Sequence, residues 1–403
     1  MMKITFVAAA LLFVLPASAQ VPTVTDEIAF ALTLHRRIAG STNVMTSPYS
    51  LRQALGMAYI GAASKTRAQM ARVLGAGPTF ESDEKKRRES LGAADDPVTL
   101  KVANALFVKE GYTFLPRFIQ TVTDTFAADV FIRKFGPKAL AEINGWAQAA
   151  TSGKIPVILD ELNDADRAVL LSAVYFKGSW VTAFPKEKSE ATRPGDATSG
   201  PLPETFHPTK GKPFSVKLMS VNGSFEYASA PGWQAVRLPY KGDRLAMIAV
   251  LPAADSSLAG FREKLNARMW RSLRDQLKNY QQGLVAIPKF TFSKTHEMKA
   301  PLGELGMTLP FDRVYADFSN MSKPANMREE IYISKVVHKA FVAVDEEGTE
   351  AAAVTAVVMS IKGTAVDLEA PFQFVADRPF LFVIEDIRSG TILFIGEVHD
   401  PRE

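Results

Sequence analysis

The chain has 403 residues, a net charge of only +4, 47% apolar residues and 22% charged ones. That balance excludes a largely disordered chain and supplies no basic excess of the kind that nucleic acid demands. There is no cysteine, so disulfides, thiol nucleophiles and thiolate metal sites are ruled out, and the core must hold the fold.

Residues 1–19 read as a secretory signal: Lys3 as the positive n-region, an apolar stretch over 4–16, and the small-x-small site Ala17-Ser18-Ala19. An apolar stretch of about 13 residues is too short to span a bilayer. The mature chain is therefore expected to start at Gln20, to be secreted or periplasmic, and to form one domain over 20–403 with no membrane partner. Next come helical patterns over 26–40, 50–59 and 64–74, each ending at or near a glycine, with Thr25 and Asp26 as caps of the first. Residues 81–90 read as a short charged helix or loop, and 99–108 alternate like a strand. Amphipathic helices are predicted over 114–126 and 139–151. After that, strands dominate. Residues 168–176 form a nearly unbroken apolar run, the mark of a strand buried on both faces. Residues 235–238 and 245–251 form a hairpin around Tyr240-Lys241-Gly242-Asp243. A helix is predicted over 258–277 and strands over 283–293, 330–344 and 380–397, the last pair split by the turn Arg388-Ser389-Gly390. Strands and helices do not alternate regularly, so an α+β fold with a long central sheet is expected, not a doubly wound one. The Pro/Gly-rich 193–213 stretch reads as a surface connection within one domain, because no composition shift follows it.

The segment Glu346-Glu347-Gly348-Thr349-Glu350-Ala351-Ala352-Ala353-Val354-Thr355 is unusual. One period-2 face carries Thr349, Ala351, Ala353, Thr355, Val357, Met359 and Ile361, with almost no bulk. It is a poor strand on its own. Its small side chains suit a strand that slides late between two others, and its Glu and Ala equally suit a helix. No G-x-S-x-G, H-E-x-x-H or P-loop occurs, and the five histidines are scattered, so neither enzymatic activity nor a metal or cofactor is expected.

Further motifs decide between strand and helix. They are Asn43-Val44-Met45-Thr46-Ser47-Pro48-Tyr49-Ser50 with Gly61-Ala62 and Thr66, then Val174-Tyr175-Phe176-Lys177-Gly178-Ser179-Trp180, Pro288-Lys289-Phe290 and Ala316-Asp317-Phe318-Ser319. Val336-Val337-His338-Lys339-Ala340-Phe341 leads into the small-residue segment. Asp377-Arg378-Pro379-Phe380-Leu381-Phe382 and Gly390-Thr391-Ile392-Leu393-Phe394-Ile395-Gly396 close the chain. In this order, over nearly the whole mature chain, the set resembles the serpins. The resemblance implies three β-sheets, eight or nine helices and an exposed reactive-centre loop on a monomer. It implies a kinetically trapped native state in which a serine protease cleaves the loop, is held as its acyl-enzyme, and is carried along as the loop inserts into the main sheet.

In the family the scissile residue lies fourteen positions after the hinge glycine, which here gives Lys362-Gly363 counted from Gly348. A lysine there suits the acidic pocket of a trypsin-like protease. The rival is Ile361 or a neighbour, which would suit elastase-like or subtilisin-like proteases. The hinge, residues 346–355, follows the inhibitory pattern, with Gly348 as pivot and Thr349 small enough to enter the sheet first. A non-inhibitory carrier, chaperone or storage protein is the alternative. Glu346 is expected to pair with Lys289. Ser47, Ser50 and His338 match the family's polar cluster beneath the sheet, Ser172 stands where Asn is frequent, and Trp180 marks the top of the sheet where insertion begins. Lys85, Lys86, Arg87 and Arg88 fall near the helix that binds polyanions in some relatives, but the surrounding Glu81, Asp83, Glu84 and Glu89 make a solvated helix face the stronger reading. Asn222-Gly223-Ser224 and Asn320-Met321-Ser322 are sequons.

Overall fold

The computed structural model describes residues 26–92, 98–186, 205–324, 331–349 and 370–403. Residues 1–25, which hold the expected leader, and residues 350–369 lie outside the described residues, and with them Glu350, Ala351, Ala352, Ala353, Val354, Thr355, Lys362 and Gly363.

Among the described residues there are nine α-helices and two large sheets with two small ribbons. The central sheet has six strands, in the order Phe290–Glu297, Ile333–Val344, Gly348–Thr349, Ala168–Ser179, Thr99–Lys109 and Asp129–Arg133. The apolar run over 168–176 becomes its middle strand and is buried on both faces. Val169, Leu171 and Ala173 pack with Ile143 and Ala147 of the helix Pro137–Ala150. Val174 and Phe176 pack with Met247, Phe382 and Phe394 of the eight-stranded sheet. That larger assembly is two sheets sharing one strand. Leu218–Ala230 pairs with Tyr280–Pro288 through residues 218–226 and with Trp233–Pro239 through residues 226–230. The three large sheets expected from the sequence are therefore present, two of them joined. The helix Pro48–Gly61 is buried all round, which explains its lack of a polar face.

Two predicted elements break. The strand predicted over 283–293 divides at Lys289 into Tyr280–Pro288 and Phe290–Glu297, which belong to different sheets. Pro288 cannot donate a ladder hydrogen bond, and the chain changes sheets after it. The helix predicted over 258–277 divides into Leu258–Lys264 and Ala267–Gln276; Asn266 caps the second by accepting from the Met269 amide at 3.0 Å. The charged segment over 81–90 is helical, as Phe80–Leu91.

Candidate functional site

The central sheet contains a seam. Ile333–Val344 and Ala168–Ser179 run parallel and pair directly from Ile333 opposite Ala168 to Phe341 opposite Tyr175. Beyond that point they separate, and Gly348–Thr349 lies between them, antiparallel to both. Thr349 pairs with Val344 on one side, while Gly348 and Thr349 pair with Ser179 and Gly178 on the other. The pivot glycine of the predicted hinge and the threonine after it thus already form a short strand in the sheet.

Sequence chemistry explains why the chain turns there. The Asp345 carboxylate accepts from the Glu347 and Gly348 amides at 2.9 and 3.1 Å, closing an Asx-type turn. The three carbonyls before Gly348 are held by the chain that follows Ala168–Ser179. Trp180 Nε1 donates to Asp345 at 3.0 Å, the Phe184 amide to Glu346 at 2.8 Å, and the Trp180 amide to Glu347 at 3.0 Å. Gly348 has φ +157°, and a Cβ there would stand 2.1 Å from the Gly178 carbonyl oxygen, so only glycine fits. Thr349 is fully buried, and its hydroxyl lies 2.7 Å from the Tyr240 hydroxyl. Burial pushes the Tyr240 phenol pKa up, with the Thr349 hydrogen bond opposing, so it stays a neutral partner. Trp180 is buried and stacks on Tyr240 with centroids 4.5 Å apart. Lys289 Nζ meets Glu346 Oε1 at 2.5 Å, and Lys186 pairs closely with Glu347. Both lysines are more than half exposed, so these solvent-screened pairs align the turn more than they stabilise it.

Beneath the seam, Ser47, Ser50, Ser172 and His338 are buried together. Ser47 caps the helix Pro48–Gly61 by accepting from the Ser50 amide at 3.2 Å, and its own amide donates to His338 Nε2 at 2.9 Å. An amide can only donate, so Nε2 is the acceptor and the neutral ring carries its proton on Nδ1. That nitrogen donates to Ser172 Oγ at 3.0 Å, leaving Ser172 to donate to Ser50 Oγ at 2.7 Å. Ser50 in turn reaches Asn104 Oδ1 at 3.5 Å, a long contact. The chain of donors has one direction. Burial lowers the His338 pKa to about 3, helped by nearby His296 and opposed by Ser172. A second ring proton would set an N–H against the Ser47 amide. The carboxamide absent at position 172 is supplied from the adjacent strand, since Asn104 lies directly opposite Ser172.

The fold and chain order have counterparts among known proteins. The profile of the family described as "Serpin (serine protease inhibitor)" matches residues 25–401. The chain is a serpin. It is 34% identical over 405 residues to an uncharacterized serpin-like protein of Thermococcus kodakarensis, covering 97% of this chain and 88% of the relative. It is 35% identical over 400 residues to a leukocyte elastase inhibitor of Sus scrofa, covering 92% and 97%. The crystal structure of the thermophilic serpin tengpin in its native state superposes with a TM-score of 0.81 at 29% identity, covering 93% of each chain. Serpins as a family are mostly protease inhibitors, not enzymes.

Other groups singled out in this serpin fall outside the seam. Two of the four basic residues on the helix Phe80–Leu91 turn inward. Arg87 binds buried Glu84 at 2.7 Å and Glu27 at 2.9 Å, and Arg88 donates to the Thr125 and Asp124 carbonyls. Only Lys85 and Lys86 remain for solvent. Asn320 Nδ2 is taken by the Ala62 carbonyl at 2.9 Å, whereas Asn222 is exposed on its strand. Sequence reasoning passed over Asn104, Lys186 and the contact between Tyr240 and Thr349. Asn104 could have been found as the one polar residue at an inward position of the 99–108 alternation. Lys186 and Tyr240 carried no such signal, because their roles depend on strands far apart in sequence.

Proposed function

We propose that this serpin inhibits trypsin-like serine proteases by loop cleavage, acyl-enzyme trapping and loop insertion, and that it works outside the cytoplasm after removal of residues 1–19. One observation carries the reading: Gly348 and Thr349 already lie between two strands that pair directly along the rest of their length. Insertion then continues a strand that has begun. The alternate residues Ala351, Ala353, Thr355 and Val357 follow Thr349 along the same face and demand little room. The protease serine attacks the Lys362 carbonyl, the Gly363 amine leaves, and the acylated segment is free to move. As it inserts, each backbone group gains a partner on both edges of the seam. The polar network of Ser47, Ser50, Ser172 and His338 consists of groups able to exchange partners without leaving a charge buried, which suits strands that must part.

The test is incubation of mature protein with trypsin, followed by a denaturing gel and mass analysis. An SDS-stable adduct with cleavage at Lys362-Gly363 is expected. Complete cleavage without adduct would place the chain with substrates or non-inhibitory members.

A further inference from the structure

Beside the hinge stands a short ribbon formed by Thr205–Phe206 and Phe214–Ser215. A free two-stranded ribbon is at best marginally stable in water, but this one is anchored at several points. Phe206 is fully buried and its ring lies 5.6 Å from that of Phe214. The Arg402 guanidinium sits 3.4 Å over the Phe214 ring and is fixed in turn by Asp400 at 2.6 and 3.0 Å. Thr209 Oγ1 meets His399 Nδ1 at 2.5 Å, and the His207 amide donates to the Asp377 carbonyl at 2.8 Å. The tip turns at Gly211, with φ +95°, and presents Lys210 and Lys212, both exposed and without an ion pair among the described residues. The second strand leads to exposed Lys217, which lines an open cleft with Lys289 and Glu346 at the hinge. The ribbon is therefore tied on one side to the hinge cleft and on the other to Asp377, where the chain has returned from residues 350–369.

We infer that this ribbon is a docking surface for the target protease, and that Lys210 and Lys212 engage an acidic patch on the protease beside its substrate cleft. The inference rests on the inhibitor reading above. Of the lysines that line the hinge cleft, Lys186 and Lys289 are compensated by Glu347 and Glu346, whereas Lys217, like Lys210 and Lys212, has no ion pair among the described residues, so the uncompensated charge runs from the cleft to the tip. Like most complementary surface charge, it acts on encounter and partner choice and leaves the acylation chemistry alone. A protease drawn by the ribbon meets the loop at raised local concentration; one with a basic surface does not.

The experiment compares the wild type with K210E/K212E and with K85E/K86E, a control of equal net-charge change on the exposed face of Phe80–Leu91. Each is reacted with trypsin and with trypsin made acidic by lysine succinylation, and the second-order inhibition rate and stoichiometry are measured at low and high salt. The expected result is that K210E/K212E slows capture of the acidic trypsin by about tenfold at low ionic strength. The effect should vanish at high salt with stoichiometry unchanged, and K85E/K86E should change the rate far less. Equal losses in both variants, or no loss in either, would overturn the inference. So would retention on a heparin column that depends on Lys210 and Lys212 while capture does not, which would give the surface to a polyanion. If no adduct forms with any variant, the inhibitor reading has failed on its own. The ribbon is then read from the rate of loop cleavage by acidic trypsin: slowing in K210E/K212E alone supports docking, and equal rates exclude it.

Discussion

Replacing Thr349 with arginine should turn the protein from inhibitor into substrate. Thr349 has no solvent exposure, pairs with Val344 and Gly178, and shares a 2.7 Å hydrogen bond with the fully buried Tyr240 hydroxyl. An arginine at that position loses this bond and leaves the Tyr240 hydroxyl without its partner, which costs about 1–3 kcal/mol. Burying an unpaired guanidinium adds a penalty of several kcal/mol more. The native state of the variant escapes this penalty by withdrawing position 349 from the seam, so that insertion must bring the charge back in; even if relaxation leaves only about 3 kcal/mol on that barrier, insertion slows roughly a hundredfold. Acyl-enzyme hydrolysis is not slowed, so water releases the protease first. Trypsin titration followed by a denaturing gel would show continued loop cleavage, a steep rise in inhibitor molecules consumed per protease, and loss of adduct. Thr349→Val, which keeps the shape and removes only the hydroxyl, should retain most of the adduct. Undiminished adduct from Thr349→Arg would refute the placement of this residue at the leading edge of insertion.

Two further outcomes follow from the same geometry. Lys362→Leu should redirect inhibition from trypsin-like to chymotrypsin-like proteases with the fold intact, read as a reversal of rate constants; unchanged capture of trypsin would relocate the scissile bond. His338 binds its proton with a pKa of about 3 in the folded protein against 6.5 for an ordinary histidine, so the unfolded chain takes up the proton first on acidification. Stability is therefore fully present above pH 6.5 and declines as pH falls towards 3, by up to about 4–5 kcal/mol. His296 is shifted in the same direction, mainly by burial. Glu397 is opposed by burial but held at about 2 by His35, His399 and Arg262, and adds a loss only below its ordinary 4.5. Urea unfolding of wild type and His338→Gln between pH 7 and 5 should therefore differ in slope with pH, the variant being flatter. Parallel pH profiles would mean that the imidazole is not neutral in the native seam.

The sequence was most informative where pattern and burial coincide. The run over 168–176 announced a strand buried on both faces because nothing polar but Ser172 interrupts it, and that strand forms one wall of the seam. The small residues after Gly348 were ambiguous between strand and helix on their own, and only the order of the other motifs decided. The break at Lys289 was hidden because the apolar alternation runs through Pro288 while the backbone changes sheet. Asn266 splits a continuous helical pattern because its side chain serves the Met269 amide better than the helix does. Leu218–Ala230 escaped notice because Asn222-Gly223-Ser224 interrupts its alternation, although sheet pairing holds it extended. At the site, Ser47, Ser50 and His338 were legible by resemblance. The amide opposite Ser172 and the hydroxyl opposite Thr349 were not, since each arises from the register between strands remote in sequence.

The central claim is that the cleaved loop enters the seam and that this entry drives inhibition. Melting curves before and after limited cleavage at Lys362-Gly363 test it most directly. In the proposed mechanism, insertion beyond Thr349 waits for cleavage, because the uncut segment is tethered at both ends. After cleavage, the segment from Glu350 onward should pair on both edges, and the melting midpoint should rise substantially although a peptide bond has been lost. An unchanged or lower midpoint after cleavage at that bond would show that the loop does not insert, and would remove the driving force from the mechanism.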